Sequence, residues 1–576
     1  MDKQVIKRIM KKGFVIVSIL LNTVALHAQQ SVKQYTNPIL SGFYPDPSIC
    51  KVGTDYYLVN STFAYFPGIP VFHSKDLVNW NLIGHVITRG EQMDFTGKGV
   101  SRAIFAPTIR YHDGLFYVTC TMIDGKGNFV VTAKNPAGPW SNPSWLPLDG
   151  IDPSLFFDED GQAYVTYNSI PPDNKSLYEG HRTIRMNKFD YKTLKVLGEN
   201  KILVNGGTDI SKKPSWIEGP HIVKNFGYYY LISAEGGTGA DHSVVAFRSK
   251  NIEGPYISYE NNPILTQRNA KGDRENPITS TGHADLIQLP DGSWQAVFLG
   301  TRPYEADYFN TGRETFLTPV TWKDEWPIIN PGNELVKYTY PLPLPQIKAS
   351  GNTTAYSGNF SYKEEFNKDK LKPDWIYLRT VKETWYNTTT KKGFLSLKVR
   401  PETVAGKMNP SFVARRQQHV RFRATTSLLF NANTENEKAG LLCFMNEDHF
   451  YFLSGSKENN KSMVELYQAS KNVTDSNRMI LLASKSLPAN YKGSVQLRVR
   501  ASADKYAFYY STDNNNWRLI KDNVDGKFLS TKVAGGFGAN FVGNTIALYA
   551  TSLGNKTNSI AYFDWFQYKG DDAVYK

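Results

Sequence analysis

Three acids stand at nearly one position in a set of five self-similar segments. Asp46 and Asp152 each precede a proline, in YPDPSIC and IDPSLFF, and Glu218 precedes Gly219 and Pro220 in WIEGPHI. His283 holds the matching place in TGHADLI, and Ala106 in FAPTIRY. An Asp before Pro also caps turns, because its oxygens accept nearby backbone N–H groups. Ala106 shows that the repeat itself needs no acid there. Like charges brought to one place are costly and shift one another's pKa. Cleavage of a glycosidic bond needs such a division of labour: one carboxyl protonated near neutral pH to protonate the leaving oxygen, another ionised. A third carboxylate beside the acid would raise its pKa and hold its orientation. Register alone does not say which acid takes which role.

The elements that must position these acids follow from the repeat. The segments are PDPSICKVGTDYYLVNS from Pro45, FAPTIRYHDGLFYVTCT from Phe105, IDPSLFFDEDGQAYVTYN from Ile151, EGPHIVKNFGYYYLISAE from Glu218 and GHADLIQLPDGSWQAVFLG from Gly282. With Pro47, Pro107, Pro153, Pro220 and Ala284 aligned, the spacings are 60, 46, 67 and 64 residues. Each unit has room for about four short strands with turns. Long amphipathic helical periodicity is missing. Five similar all-β units predict a five-bladed β-propeller over 31–340, whose inner strands would begin near one axis. PLPLPQIKASGNTTAYSGN then reads as a linker, 341–357. Beyond it FLSLKVRPE, HFYFLSG, SVQLRVRA and KYAFYYSTD alternate with period two, which predicts a β-sandwich over 358–576. The expected fold class is therefore all-β.

Composition agrees and excludes alternatives. The chain has 576 residues, enough for several domains, with 13% aromatics and 21% charged residues. Residues 1–28 read as a secretory signal: basic KRIMKK, apolar FVIVSILLNTVAL, then ALHA before QQ. They carry five of the cations and one acid, so cleavage after Ala28 would lower the net charge from +13 to +9. The mature protein is expected in the periplasm or outside the cell, with no membrane association once the signal is removed. No later Lys/Arg run is long enough to track a phosphate backbone, so nucleic acid is not an expected partner. Cys50, Cys120 and Cys443 form no disulfide framework and are expected as buried free thiols. No CxxC, HExxH or Cys/His cluster suggests zinc, and no Walker loop or GxSxG elbow occurs.

The stretch NPILSGFYPDPSICKVGTDYYLVNSTFAYFPGIPVFHSKDLVNW resembles the opening of glycoside hydrolase family 43. IDPSLFFDEDG, WIEGPHI, TGHADLI and GRETFL resemble its later landmarks in order. ARRQQH and AGLLCFMNEDHFYFLSG resemble the concanavalin-like (jelly-roll) sandwich appended to its β-xylosidase members. The resemblance implies a five-bladed propeller acting with inversion, with Asp46 as general base, Asp152 as pKa modulator and positioner, and Glu218 as general acid. It also implies sugar binding by Arg313 in GRETFL, a pocket wall at Phe63, and a central His at His283. In some relatives that His ligates calcium, so a structural calcium near His283 is a further expectation, although the chemistry itself requires no cofactor. Phe105 stands where many xylosidases have Trp, which keeps a stacking face and loses the indole N–H. Trp216 fits either the site or the core. Phe541 in NFVGNTIALYA resembles the sandwich aromatic that closes the pocket, and a closed pocket admits only a chain end.

The expected activity is exo-cleavage of terminal β-1,4-xylosyl residues from xylo-oligosaccharides, with α-L-arabinofuranosidase or dual activity as the alternative. Retaining fructan hydrolases share a five-bladed scaffold but need Asn-Asp-Pro-Asn and Arg-Asp-Pro. Here Tyr-Pro-Asp-Pro and Ile-Asp-Pro stand in those places. A non-catalytic carbohydrate-binding protein is a third reading, which the three acids disfavour.

Overall fold

A computed structural model describes residues 33–576 apart from 271–273, 333, 347–353, 473–477 and 490. The expected signal segment 1–28 and part of the expected linker therefore lie outside the described residues. Only strands and short 3-10 turns occur among the described residues. None of their helices is long and apolar enough to cross a membrane.

Five antiparallel sheets follow one another along the chain and form the blades of the propeller. Their inner strands are Ser48–Val52, Thr108–His112, Gly150–Phe157, Glu218–Asn225 and Thr279–Gln288. Each pairs with an aromatic-rich second strand across a Gly- or Asp-containing turn, as the repeat required. Apolar clusters fill the spaces between neighbouring blades, so both faces of every twisted sheet are covered. The ring closes on its N-terminal segment. Gln34–Thr36 pairs with Thr339–Pro341, and Leu40 bridges Thr315 of the fifth blade.

The second half is a sandwich of two eight-stranded sheets. Sequence alternation did not show how closely it joins the propeller. Tyr65–Phe66, from the first blade's loop, pairs with Ile376–Leu378 and becomes the outermost strand of one sandwich sheet. Buried Arg302 of the fifth blade bonds Glu314 at 2.5 and 2.9 Å and Asp572 at 2.9 Å. Arg416 donates to the Phe43 carbonyl at 2.9 Å. The described end of the expected linker is also packed in place. Ser41 donates through both N–H and hydroxyl to the Tyr356 carbonyl, and the Tyr356 ring packs edge-on against Tyr44 and Phe72. The first two blades and the sandwich share one continuous apolar core. Cys50, Cys120 and Cys443 are free and buried, and burial pushes the Cys50 thiol up to about 12.

Candidate active site

The backbone explains why chemistry collects at one register. Asp46, Asp152 and His283 take left-handed φ of 53°, 56° and 51°, as does Gly219 at 56°. In the third, fourth and fifth blades the ladder slips at this point, between Ile151 and Ser154, Glu218 and His221, and Gly282 and Asp285. A bulge of this kind re-aims a side chain at the end of a strand. Left-handed non-glycine residues cost about 1–3 kcal/mol each and persist where function requires them.

The fourth blade shows why its acid sits one residue early. A Cβ on Gly219 would lie 2.7 Å from Nε2 of His283. With the equivalent position restricted to glycine, the carboxyl moves to Glu218. Gly219 instead donates its N–H to Oδ2 of Asp152 at 3.1 Å. Gly219→Ala is expected to lower stability by about 1–3 kcal/mol and kcat/KM by at least about tenfold, through displacement of the His283 ring. Thermal melting and steady-state kinetics on one preparation check both.

Asp46, Asp152, Glu218, Phe63, Phe105, His283, Arg313 and Phe541 all line one cavity of about 630 Å³, together with Trp216. Asp46 is buried and well partnered. Ser61 donates to Oδ2 at 2.5 Å and Arg313 to Oδ1 at 3.1 Å, while Nδ1 of His283 is 3.6 Å from Oδ1. Burial raises the Asp46 pKa, but Arg313, His283 and the Ser61 hydroxyl outweigh it and hold the carboxyl below its ordinary value. Glu218 has the opposite surroundings. Burial and repulsion from Asp46, only partly offset by Arg313 and Arg182, push it up to about 7. Burial and the charges of Glu218 and Asp46 also drive Asp152 upward. The Gly219 N–H favours the ionised form of Asp152 against burial and both neighbouring carboxylates, and the proton this pair retains belongs to Asp152 and Glu218 together. Burial pushes the pKa values of His283 and His242 down, that of His242 to about 3.

The walls are aromatic. Phe63 stacks on Phe541 at 6.0 Å, and Phe105 meets both edge-on at 5.7 and 5.6 Å. The inner strand of the second blade breaks between Ala103–Ile104 and Thr108–His112, and Phe105 lies in the break. Phe541 comes from the sandwich and donates its N–H to the Ser101 hydroxyl at 3.0 Å. A Cβ on Gly239 of the fourth blade would stand 3.5 Å from the ring of Phe537. The sandwich is therefore a wall of the cavity. Trp216 also lies at the cavity, half-buried, with the Arg182 guanidinium 3.9 Å over its ring.

Sequence reasoning missed Arg102, Arg182, Thr238 and His242 in the lining. It also missed a buried polar plug at the axis. Asp285 accepts from Ser48 and from Arg110, each at 2.8 Å. Nδ1 of His221 accepts from Arg110 at 3.2 Å and from Ser154 at 3.0 Å. Each blade contributes one of these residues, further along its inner strand than the register of the acids. Continuing the repeat alignment by two residues, or four in the second blade, would have exposed them. Arg110 and His221 overcome burial and hold Asp285 at about 2.

Calcium wants six to eight oxygen ligands. Beside His283 stand Asp46 and the Arg313 guanidinium, while Asp285 is engaged by Arg110. Among the described residues no three His, Cys, Asp or Glu side chains group to hold a metal. This donor set does not fit a calcium ion, and no step below passes through one.

A propeller axis carrying one ionised and one proton-holding carboxyl inside an aromatic cavity is the site of a glycoside hydrolase. The model for glycosyl hydrolases family 43 matches residues 35–327, the model for the beta xylosidase C-terminal concanavalin A-like domain matches 363–569, and the chain belongs to family 43. It is 38% identical to a xylosidase/arabinosidase of Butyrivibrio fibrisolvens over 92% of this chain and 98% of that one. It is 37% identical to a non-reducing end alpha-L-arabinofuranosidase of Bacteroides ovatus, over 97% and 99% of the two chains. The solved structure of GH43B from the Bacteroides ovatus xyloglucan PUL superposes with a TM-score of 0.82 at 36% identity, covering 94% of this chain and 100% of that one.

Proposed function

We propose that the protein is an inverting exo-glycosidase that releases terminal β-1,4-linked xylosyl residues from xylo-oligosaccharides. The observation that carries this reading is the contrast between two carboxyls in one cavity: Asp46 held ionised, Glu218 pushed up to about 7. Asp46 accepts a proton from the water that attacks the anomeric carbon. Glu218 gives its proton to the departing glycosidic oxygen on the other face of the sugar. Asp152 is the positioner and pKa modulator of this reading, its titration tied to that of Glu218, while burial and the Asp46 charge keep the Glu218 pKa high. Arg313, bonded through Nη1 to Asp46 and Thr238, has further guanidinium N–H groups to donate to sugar hydroxyls, and the phenyl faces of Phe63, Phe105 and Phe541 cover the apolar face of the ring. Closure by the sandwich supports exo-cleavage. Residues 1–28 support export to the periplasm or beyond, where such oligosaccharides would be met.

A second reading, α-L-arabinofuranosidase or dual activity in the same cavity, is favoured by the names of the Bacteroides and Butyrivibrio relatives. Aryl β-xylosides and aryl α-L-arabinofuranosides separate the two. The expected result is a higher kcat/KM on the xyloside, and the reverse order would assign the enzyme to arabinose. Following the first-formed sugar by NMR tests inversion. α-Xylose from a β-xyloside is expected, and β-xylose as first product would reject the mechanism.

A further inference from the structure

The outer face of the other sandwich sheet, the one that does not pair with the propeller, carries a band of cations. Lys569 lies directly opposite Arg423, and Arg423 directly opposite Arg500, on three adjacent strands. One rung away on the same face Arg498 sits between Thr425 and Tyr509. On the other side Arg421 faces Ser502, which faces Lys505. A shallow groove of about 520 Å³ runs over this face, with Asp522 and Asp571 at its margin. Asp571 is engaged by Lys576 at 2.9 Å. Among the described residues Arg423, Arg498 and Arg500 make no ion pair with a carboxylate, and the cationic charges acting on Arg498 are those of the other two arginines.

Such an arrangement is unfavourable for the sheet alone. Like charges directly opposite on neighbouring strands destabilise it. Burial and the charges of Arg423 and Arg500 push the Arg498 guanidinium down to about 10. Neutral residues at these positions would serve folding better. The guanidinia are nevertheless supported: Arg498 lies 3.3 Å over the Trp517 ring and Arg500 5.5 Å over that of Tyr509. Stacking leaves the planar donor fork available, and that fork matches a carboxylate with two parallel hydrogen bonds.

We propose that this face is a docking site for a carboxylate-bearing, uronic acid-containing polysaccharide, separate from the catalytic cavity. Strands about 4.8 Å apart present the cations as a row, which suits an extended glycan whose acidic side groups recur along the chain. The choice of a polysaccharide rests on the glycosidase reading above, whereas the preference for a polyanion rests on the sheet face alone. Docking there would keep the enzyme on a polymer whose free ends the cavity processes.

The test is electrophoresis of the full-length mature enzyme through gels containing glucuronoxylan or the same polymer with its carboxyls reduced to alcohols. Retardation at least about fivefold stronger in glucuronoxylan is expected, with the difference collapsing between about 20 and 300 mM NaCl as the charges are screened. The double variant R423Q/R500Q should lose that difference, hydrolyse aryl glycosides at the wild-type rate, and melt at or above the wild-type temperature. Equal retardation in the two gels would overturn the proposal without any variant being needed. So would a preference that survives in R423Q/R500Q, or tighter binding to phosphatidylglycerol vesicles or duplex DNA than to glucuronoxylan. Aryl glycoside hydrolysis is read separately, so a failed docking site and a failed glycosidase assignment give different results.

Discussion

Asp46→Asn is expected to lower kcat by roughly 10³–10⁴-fold, the upper range for loss of a positioned general base. The amide is nearly isosteric and can keep the Ser61 contact, so folding should survive. It cannot take a proton from water. Because water attacks in every turnover, the loss should be equally severe with natural oligosaccharides and with aryl glycosides whose leaving group needs no help. As the proposed general base Asp46 must be ionised, and Arg313, His283 and Ser61 hold its pKa below the ordinary value. The acid limb of the wild-type kcat/KM profile should therefore lie below about pH 4. Initial rates on both substrate types, with a melting curve as folding control, decide the matter. Wild-type-like turnover by Asp46→Asn on either substrate would remove the assigned base.

Glu218→Gln should divide substrates by leaving group. With xylobiose the rate should fall roughly 10²–10³-fold, because no proton reaches the departing oxygen. With an aryl glycoside of low leaving-group pKa much of the rate should remain. As the proposed general acid Glu218 must be protonated, and it is pushed up to about 7, so wild-type activity should decline as pH rises through about 7. That alkaline limb belongs to Glu218 together with Asp152. It should flatten in Glu218→Gln assayed with the activated substrate. Uniform loss on all substrates, or an unchanged alkaline limb, would move the acid role elsewhere. The two variants together separate base from acid: one loses every substrate, the other only those that need a proton.

Much of this site was legible before any coordinates. Asp46, Asp152 and His283 could be aligned because a propeller brings equivalent repeat positions to one axis, and repeat register is visible in the chain. Glu218 was found one place off register. The reason is steric, since only glycine fits against the His283 ring at Gly219, and no pattern in WIEGPHI announces that contact. Arg182, Thr238 and His242 lie outside the repeat alignment, so nothing in spacing marked them. Phe541 was indicated by resemblance, while its partner Ser101, more than four hundred residues earlier in the chain, was not. The segment from Pro341 read as a tether from its composition, yet Tyr356 is buried against Tyr44 and Phe72. Composition reports average solvent affinity and says nothing about a single aromatic that finds a neighbouring core.

Local patterning by itself determined the all-β class, the number of blades and the three acids. Strand alternation, turn residues and repeat register are short-range properties written along the chain. Tertiary structure alone decided which carboxyl keeps its proton. That depends on burial and on which cations face each group, and Arg313 meets Asp46 only after the fifth blade closes against the first. The same holds for the strand exchanged between domains, for the sandwich wall of the cavity, and for the cations aligned across the outer sheet. Each is a contact between distant residues, created by strand pairing and blade closure and invisible to any local period.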